Sequence, residues 1–550
     1  MKELFLGLDC STQGLTAIIV DFNSFQIIHK YEVNYAKDLA HYKTQNGVYI
    51  HDDGITVHSN PIMWLEALEL LFHNMLKDKV AINTILAISG SAQQHGTVYL
   101  NDTFEKRLQN LNSDSNLIDQ IMGSFSRKSS PVWMDSSTSK QCQEIREKLG
   151  GIKKVIKLTG SNTFERFSGP QIRKFYQHQP EQYDKTHAIH LISSFMASIL
   201  LGKSAPIDRG DGAGMNLMNI ATSQWDQDAI DATAPNLRLK LPPLVKSHEI
   251  IGKIAPYFIE KYGFASNTLL IAWSGDNPNS LIGVGLTSKG KVAISLGTSD
   301  TYFGYMEQLY LDFKGEGHVF GAPTGDYMSL ICFKNGSLAR EKIKNQFSLT
   351  WREFSNMLLS TPPGNSGNIM LPYFFPEIVP LVLNPKVYRF GFNEYEPEIN
   401  VRAIVEAQFL SMKLHSRWIG EKATEIHATG GASTNTEIMQ VAADIFNSPV
   451  RIFELTNSAA LGAAIRSAKS FYDSVCQDKN WAKISESLLK LLVKEILYPN
   501  EKFKELYEVM LLLYEKYEDY VLREGENPEL FRQRFKTKYL ERDIKSNKNI

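Results

Sequence analysis

A pattern of apolar strand, short polar turn and apolar strand occurs twice, about half a chain apart. The first copy comprises residues 4–8, 9–14 and 17–20, and the second comprises residues 292–296, 297–300 and 301–303. Such a repeat predicts a duplicated architecture, in which two sets of turn amides and hydroxyls can cradle a polyphosphate. Because hairpin turns favour the same Gly, Ser, Thr and Asp residues, two unrelated hairpins are the alternative.

The size and composition indicate a globular protein of several domains. With 550 residues the chain is too long for one core, so two or three domains are expected. The formal net charge of −1 creates no global field that favours nucleic acid or a membrane surface. The four cysteines are scattered, which argues against a disulfide framework or a zinc site and fits a reducing compartment. No apolar run is long enough for a signal peptide or a membrane span, so we predict a cytoplasmic location.

Polar loops that follow apolar segments in the first half are candidate ligand sites, since ligands of α/β proteins collect at strand ends. The apolar segment 85–89 leads into residues 90–96 (GSAQQHG), where Gln94 and His95 are suited to hydrogen bonding hydroxyl groups. Arg166, ahead of an amphipathic helix, is a candidate for a hydroxyl or an anion. The alternatives are a satisfied structural histidine and a solvated surface arginine. Asp135, after a short strand, is either a ligand or part of the cap made by Ser136 or Ser137.

Two further stretches carry glycine-rich turns. Residues 274–277 (SGDN) place a lone carboxylate, Asp276, on a small-residue turn ahead of the flexible segment 283–290. Residues 285–292 resemble a P-loop, but Val292 stands where a Ser or Thr is needed, so we reject that reading. A strand at 426–429 runs into two glycines, and residues 434–437 have capping-box spacing ahead of a helix. The two glycines would let a planar ligand approach the backbone closely. The alternative is an ordinary turn between a strand and a helix, which has the same sequence pattern.

Taken in order, these strings resemble the FGGY family of carbohydrate kinases, and within it the animal kinases that act on xylulose. The resemblance spans about residues 4–520, and its strings are residues 9–13, 91–96, 131–138, 165–167, 275–278, 295–301 and 428–433. It implies an α/β fold with two actin-like (ribonuclease H-like) ATPase domains facing a central cleft. Residues 1–283 would bind the sugar and carry the first phosphate loop and the catalytic Asp. Residues 289–520 would bind ATP, and residues 521–550 would form a polar tail.

The resemblance also implies ATP and Mg²⁺ as cofactors and a direct in-line transfer of phosphate to D-xylulose, giving D-xylulose 5-phosphate. Asp276 matches the general base of the family, and Asp9 matches the acid that helps to hold Mg²⁺. The implied sugar contacts are Gln94, His95, Arg166, Asp276 and Asn277. The implied ATP contacts are Thr12, Gln13, Gly297, Thr298, Ser299, Trp351, Gly430, Gly431 and Asn435. Many relatives carry Lys or Arg just after the first loop, where this chain has Thr16, so a phosphate contact from that position is in doubt.

Other hypotheses remain open at this stage. An FGGY kinase acting on another pentulose, a pentitol or glycerol would share the phosphate-handling strings. A non-catalytic actin-like nucleotide-binding protein is a different class, but it has no need of Asp276 beside Asn277. The expected partner is a small-molecule sugar, with neither nucleic acid nor membrane, and the expected state is a monomer or homodimer.

Overall fold

The computed structural model describes residues 3–454, 457–477 and 479–546. The chain divides into two compact units. The first unit comprises Met1–Ser288, Tyr305–Met328 and Asn457–Leu491, and the second comprises Lys289–Gly304, Ser329–Thr456 and Leu492–Ile550. The first division lies inside the glycine-rich segment 283–290. Two later segments also belong to the first unit, so each unit is built from several stretches of sequence.

Residues 3–288 form short and long strands that alternate with helices. The strands are β1 (Leu4–Cys10), β2 (Gly14–Asp21), β3 (Gln26–Asn34), β4 (Tyr49–Ile50), β5 (Val57–Ser59), β6 (Ile85–Ala92), β7 (Thr97–Leu100), β8 (Ser130–Pro131), β9 (Ala188–Leu191), β10 (Ile207–Asp208), β11 (Met218–Asn219), β12 (Gln224–Trp225), β13 (Leu244–Val245), β14 (Ile250–Lys253), β15 (Leu269–Ile271) and β16 (Ser274–Gly275). The helices are α1 (Tyr35–Asp38), α2 (Pro61–Lys77), α3 (Phe104–Gln109), α4 (Leu117–Ile121), α5 (Ser139–Leu149), α6 (Ile152–Thr159), α7 (Ser168–His178), α8 (Pro180–Asp184), α9 (Ile192–Leu201), α10 (Arg209–Gly212), α11 (Gln227–Thr233), α12 (Pro256–Tyr262) and α13 (Asp276–Gly283).

The remainder of the chain alternates in the same way. Its strands are β17 (Lys291–Leu296), β18 (Asp300–Met306), β19 (His318–Gly321), β20 (Tyr327–Phe333), β21 (Ile369–Pro372), β22 (Val387–Phe390), β23 (Glu425–Thr429), β24 (Val450–Phe453) and β25 (Val493–Leu497). Its helices are α14 (Ser337–Gln346), α15 (Trp351–Ser360), α16 (Pro397–His415), α17 (Thr436–Phe446), α18 (Ser458–Ser474), α19 (Trp481–Leu489), α20 (Lys504–Leu522) and α21 (Glu529–Ser546).

The main sheet of the first unit has the strand order β14-β15-β6-β1-β2-β3. Strands β1, β2 and β3 are antiparallel neighbours, whereas β6 runs parallel to both β1 and β15. Every residue of β1 and β2 is buried, because helices cover both faces of the sheet. Burial on both faces explains why these strands are continuous apolar runs instead of alternating patterns.

The main sheet of the second unit contains the order β20-β18-β17-β23-β24-β25. Strand β17 is antiparallel to β18 and parallel to β23, which is parallel to β24, and β25 is antiparallel to β24. The two sheets share one order of strands, and the directions of β17, β18, β23, β24 and β25 match those of β1, β2, β6, β15 and β14. The predicted duplication is confirmed. In each unit, a three-residue turn joins the first two antiparallel strands, at residues 11–13 and 297–299.

Close packing of small residues positions α13 in the first unit. A Cβ added to Gly283 would lie 1.8 Å from the Ser458 carbonyl oxygen, and one added to Gly462 would lie 1.8 Å from the Asn279 carbonyl oxygen. Only glycine permits this approach of α13 and α18. The helix that begins at Asp276 is thereby held against α18.

Some local predictions differ from the structure. Asp276, predicted on a small-residue turn, is the first residue of helix α13. Helix α5 begins after Thr138 instead of Ser136 or Ser137, and α17 is capped by Asn435 because residues 431–434 form a 3-10 helix that moves the start by one residue. The segment predicted as a polar tail contains α21, and its last four residues lie outside the described part. Within the described ranges, no helix is both long and apolar enough to cross a bilayer.

Candidate active site

Two carboxyl groups lie near the carboxyl ends of β1 and β16, which flank β6 on either side in the first unit. Asp9 of β1 pairs with Ser91 of β6, and Ser274 of β16 pairs with the same Ser91 from the other side, which brings Asp276 close to Asp9. Burial, reinforced by the charge of Asp9, raises the pKa of Asp276 to about 7. Burial raises the pKa of Asp9 to about 6. A carboxyl group that titrates near neutral pH is suited to accepting a proton during catalysis.

The Asp276 carboxyl is oriented by its neighbours. The Asn277 backbone N–H donates to Asp276 Oδ1 at 2.9 Å, and Asn277 Nδ2 donates to Gln94 Oε1 at 2.9 Å and to Asp276 Oδ1 at 3.2 Å. The side chain of Asp276 remains partly exposed. The structure thus joins three of the predicted sugar-binding residues into one hydrogen-bonded group, with a carboxyl that a substrate can reach.

His95 adopts a left-handed backbone conformation with φ of 73°, and its ring is fixed by a main-chain contact. His95 Nδ1 lies 2.9 Å from the Gly214 carbonyl oxygen. Burial, followed by the charge of Arg166, lowers the pKa of His95 to about 3. The ring is therefore neutral, Nδ1 carries the proton that it donates to the carbonyl, and Nε2 is an acceptor. The alternative of a satisfied structural histidine accounts for Nδ1 but leaves Nε2 available.

Arg166 is oriented by a residue that sequence reasoning missed. Arg166 Nη2 donates to His318 Nε2 at 3.0 Å, and the guanidinium also lies over the Phe164 and Phe167 rings. His318 is buried in β19, and burial followed by the charge of Arg166 lowers its pKa well below the usual value. A neutral His318 can accept from Arg166. The two residues are 152 positions apart, so no local pattern marks the pair.

The segment 208–214, which includes α10, lies against the same group of residues. A Cβ added to Gly214 would lie 2.7 Å from His95 Nδ1 and 3.2 Å from Gln94 Nε2. Asp211 is buried with Oδ1 unpartnered, and Gln94 Nε2 is also buried and unpartnered among the described residues. Burial and the neighbouring Asp208 raise the pKa of Asp211 well above its usual value. The spare donor of Gln94 is an atom for which a bound ligand can supply a partner.

Asp9 fits a partial role in holding Mg²⁺. Its Oδ1 is buried without a hydrogen-bond partner among the described residues. In the same part of the chain, no three His, Cys, Asp or Glu side chains are grouped to hold a metal ion. Mg²⁺ commonly keeps several waters and binds one or two carboxylates together with substrate phosphates. The donor set therefore fits a hydrated Mg²⁺ that arrives with a nucleotide.

The turn at residues 11–13 can offer a phosphate its main-chain N–H groups more readily than its hydroxyl groups. Thr12 Oγ1 accepts from Trp133 Nε1 at 2.8 Å and donates to Gln93 Oε1 at 3.3 Å, so its proton is already used. Gln13 is exposed. Thr16 is buried and accepts from Asn457 Nδ2 at 3.2 Å. In this arrangement a phosphate contact from Thr12 would come from its backbone N–H.

A cavity of about 550 Å³ in the second unit collects most of the residues predicted to bind ATP. Its lining is Leu296, Gly297, Thr298, Ser337, Glu341, Trp351, Gly431, Ala432, Thr434, Asn435 and Ile438. Trp351 is 43% exposed and forms one wall. Ser299 and Gly430 are outside the lining. Sequence reasoning missed Ser337 and Glu341, because nothing in the local pattern of α14 distinguishes them from an ordinary helix start.

Gly430, outside the lining, and Asn435, within it, both hold the cavity wall in place. Gly430 has φ of 87°, and a Cβ there would lie 2.5 Å from the Leu296 carbonyl oxygen, whereas nothing lies within 4 Å of a Cβ at Gly431. Asn435 Oδ1 accepts from the Ile438 backbone N–H at 2.9 Å, and Asn435 Nδ2 donates to Ser355 Oγ at 2.7 Å. Both ends of the Asn435 amide are thus engaged in holding the start of α17.

The carboxylate that ends the second turn is not available to a ligand. Asp300 is buried and accepts from Arg340 Nη1 at 2.8 Å and from Arg340 Nη2 at 3.1 Å. Arg340 Nη1 also donates to Gln408 Oε1 at 2.7 Å. This two-point contact ties the turn to α14 and α16.

Comparisons with known proteins agree across the chain. Residues 4–283 match the N-terminal domain of the FGGY family of carbohydrate kinases, and residues 292–471 match its C-terminal domain. A xylulose kinase of Rattus norvegicus is 40% identical over 476 residues, which cover 84% of this chain and 88% of the relative. Xylulose kinase 2 of Arabidopsis thaliana is 41% identical over 488 residues, which cover 85% and 87%.

Solved structures show the same fold. A ligand-bound xylulose kinase of Lactobacillus acidophilus superposes with a TM-score of 0.78 at 20% identity, covering 94% of this chain and 98% of that one. The two ribonuclease H-like sheets, expected from the resemblance, are confirmed. With both domains matched and two curated relatives near 40% identity over most of their length, this chain belongs to the FGGY family of carbohydrate kinases.

Proposed function

We propose that this chain transfers the γ-phosphoryl group of ATP to D-xylulose and forms D-xylulose 5-phosphate and ADP. The observation that carries the proposal is the Asp276 carboxyl, partly exposed, with its pKa raised to about 7, hydrogen bonded to Asn277 and close to Asp9. The activity of the relatives near 40% identity supports this choice of sugar.

In the proposed reaction, the carboxylate of Asp276 accepts the proton of the acceptor hydroxyl as its oxygen attacks the γ-phosphorus atom. The bond between that phosphorus and the β–γ bridging oxygen breaks in line, and ADP carries away the bond's electron pair. Because burial raises the pKa of Asp276 to about 7, both the ionised and the protonated form of the carboxyl are accessible near neutral pH. Bound Mg²⁺, held in part by Asp9, supplies positive charge for the phosphates.

The sugar carries no charge, so its recognition must rest on paired donors and acceptors. His95 Nε2 offers an acceptor, and Gln94 Nε2 offers a donor, because their other polar atoms are already bonded. Arg166 adds further donors, and Asn277, whose amide N–H groups already bond Gln94 and Asp276, orients those two side chains. Together these groups suit a polyol, and they sit around the carboxyl that would take the proton.

In the second unit, the phosphates would lie along the turn of Gly297, Thr298 and Ser299. The base would lie against Gly431 and beside Trp351. Gly430 and Asn435 would shape the wall without touching the nucleotide through polar side-chain atoms. This assignment rests on a cavity lining that contains both a glycine turn and the Trp351 indole ring.

A panel of acceptors tests the function. We would measure ADP release with D-xylulose, L-xylulose, D-ribulose, xylitol and glycerol, and without any sugar, and would locate the phosphate on the product by NMR. The highest kcat/KM is expected for D-xylulose, with phosphate on C5, and ATP hydrolysis without sugar should be far slower. A higher kcat/KM for another acceptor would identify a sister kinase. Binding of ATP without transfer to any acceptor would support the non-catalytic alternative.

A cytoplasmic location and a monomeric or homodimeric state remain predictions. Size-exclusion chromatography with light scattering measures the second of them directly.

A further inference from the structure

Glu341 is an unpaired carboxylate in the wall of the nucleotide cavity. It is partly exposed, and it lines the cavity together with Gly297, Thr298, Gly431 and Trp351. Within the described ranges, no hydrogen bond or ion pair to its side chain is found. A kinase that binds a polyphosphate would be expected to avoid a carboxylate in this place, because like charges repel. A ligand group that donates hydrogen bonds is the chemical complement of this carboxylate.

The residues of α14 follow one another along the cavity. At the start of the helix, the Ser337 backbone N–H donates to the Gly297 carbonyl oxygen at 3.0 Å, so this end adjoins the phosphate turn. Glu341 lies one helical turn further along, on the same face as Ser337. Lys344 lies almost one turn beyond, and its ammonium group is 5.7 Å from the centre of the Trp351 ring. Glu341 is thus between the phosphate end and the indole end of the cavity.

A nucleoside triphosphate has the same order of parts, with the ribose between the phosphates and the base. We propose that the Glu341 carboxylate accepts hydrogen bonds from the 2′- and 3′-hydroxyls of the ribose, and so selects ribonucleotides. This inference rests on the proposed placement of ATP, with its phosphates at Gly297 and its base beside Trp351. The two oxygens of one carboxylate match two neighbouring hydroxyls, and hydrogen bonds to an ionised acceptor are the stronger kind.

Direct binding measurements separate this inference from the kinase activity. We would titrate ATP, 2′-deoxy-ATP, 3′-deoxy-ATP and 2′,3′-dideoxy-ATP into the full chain by calorimetry, without sugar. The wild type is expected to bind ATP at least about tenfold more tightly than the dideoxy analogue, in line with the loss of charge-assisted hydrogen bonds. In Glu341→Ala, the ratio of the two affinities is expected to approach one. The variant should bind ATP more weakly than the wild type does, and should bind the dideoxy analogue equally well or more tightly.

If Glu341→Ala binds the dideoxy analogue as tightly as the wild type does, or more tightly, Glu341 cannot have a packing role alone. If Glu341 only shaped the wall, its removal would weaken all four nucleotides equally. Glu341→Gln keeps the size of the side chain and one acceptor oxygen, so an intermediate ratio is expected from it. It also serves as the test if Glu341→Ala fails to fold. Glu398→Ala, which removes an exposed carboxylate of the same unit away from the cavity, is the control and should keep the wild-type ratio.

Several results would overturn the proposal. They are a wild type that binds ATP and the dideoxy analogue equally, a Glu341→Ala variant that keeps the wild-type ratio, or a wild type that binds no nucleotide. Inosine triphosphate, which lacks the 6-amino group, provides a further arm. If Glu341→Ala changed the ratio of ATP to inosine triphosphate instead, the carboxylate would contact the base and the ribose assignment would fall. Selective ATP binding without transfer to any sugar would refute the proposed function and leave this inference standing.

Discussion

Replacing Asp276 by Asn should abolish most activity and at the same time stabilise the folded chain. The substitution keeps the size of the side chain and an acceptor for the Asn277 backbone N–H, but it removes the base. General base catalysis contributes about 10²- to 10⁴-fold to rate, which corresponds to about 3 to 5 kcal/mol in the activation barrier. We therefore expect kcat to fall by at least a factor of about 100 at saturating sugar and ATP.

The stability effect follows from the difference between the folded and unfolded pKa values of Asp276. The carboxyl titrates near 3.8 when unfolded and near 7 when folded. Between these values the folded state holds more protons than the unfolded state, so the free energy of unfolding falls as the pH rises through this window. About three units at about 1.4 kcal/mol each set an upper limit of about 4 kcal/mol. Because Asp276 is partly exposed, we expect about 1 to 3 kcal/mol at pH 8.

Two measurements check this reasoning. The kcat/KM of the wild type should rise with pH up to about 7 and then level off. In urea unfolding, Asp276→Asn should be more stable than the wild type by a margin that is larger at pH 8 than at pH 5. Asp228→Asn, which removes an exposed carboxylate from the first turn of α11, is the control and should keep activity. If the activity of Asp276→Asn stayed within a few-fold of the wild type, the assignment of Asp276 as the base would be refuted. If the difference in the free energy of unfolding did not grow between pH 5 and pH 8, the raised pKa of Asp276 would be refuted.

Three further perturbations test other parts of the site. His318→Phe keeps an aromatic side chain but removes the nitrogen that accepts from Arg166. The KM for the sugar should therefore rise about tenfold, while kcat stays within a few-fold of the wild type. An unchanged KM would show that Arg166 needs no such partner. Gly430→Ala should lower the free energy of unfolding by about 1 to 3 kcal/mol, because its φ is positive and a Cβ there would meet main-chain atoms. Gly431→Ala, by contrast, should leave the melting temperature unchanged and raise the KM for ATP. Equal melting temperatures of the two variants would contradict this expectation. Asp9→Asn should raise the Mg²⁺ concentration that gives half-maximal activity. It should also shift the pH at which kcat/KM increases to a lower value, because the charge of Asp9 no longer raises the pKa of Asp276. An unchanged pH profile would show that Asp9 does not affect that pKa.

The repeated strand pattern was readable from sequence because its signal is local. Runs such as residues 4–8 and 292–296 are continuous and apolar, and polar residues follow each at once. Any chain that buries both faces of such strands must place the polar residues at the sheet edge. The candidate loops around Gln94, Asp276 and Gly430 were found for the same reason.

The roles of individual atoms were not readable in this way. Thr12 and Asn435 belong to the expected loops, yet their polar side-chain atoms are engaged with Trp133, Ser355 and the backbone of Ile438. Asp300 looks like a ligand beside a phosphate turn, but Arg340 occupies both of its oxygens. Each of these contacts joins residues whose proximity depends on packing, so it leaves no trace in local spacing.

By itself, the sequence determined the duplicated sheet and the set of polar loops at its strand ends, because hydrophobic periodicity and turn chemistry act over a few neighbouring residues. The tertiary structure alone decided the chemistry of those loops. Asp276 becomes a base near neutral pH only because folding removes much of the water around it and brings Asp9 beside it, 267 positions away in the chain. Burial and long-range charge are properties of the packed molecule, and they have no counterpart in the order of residues.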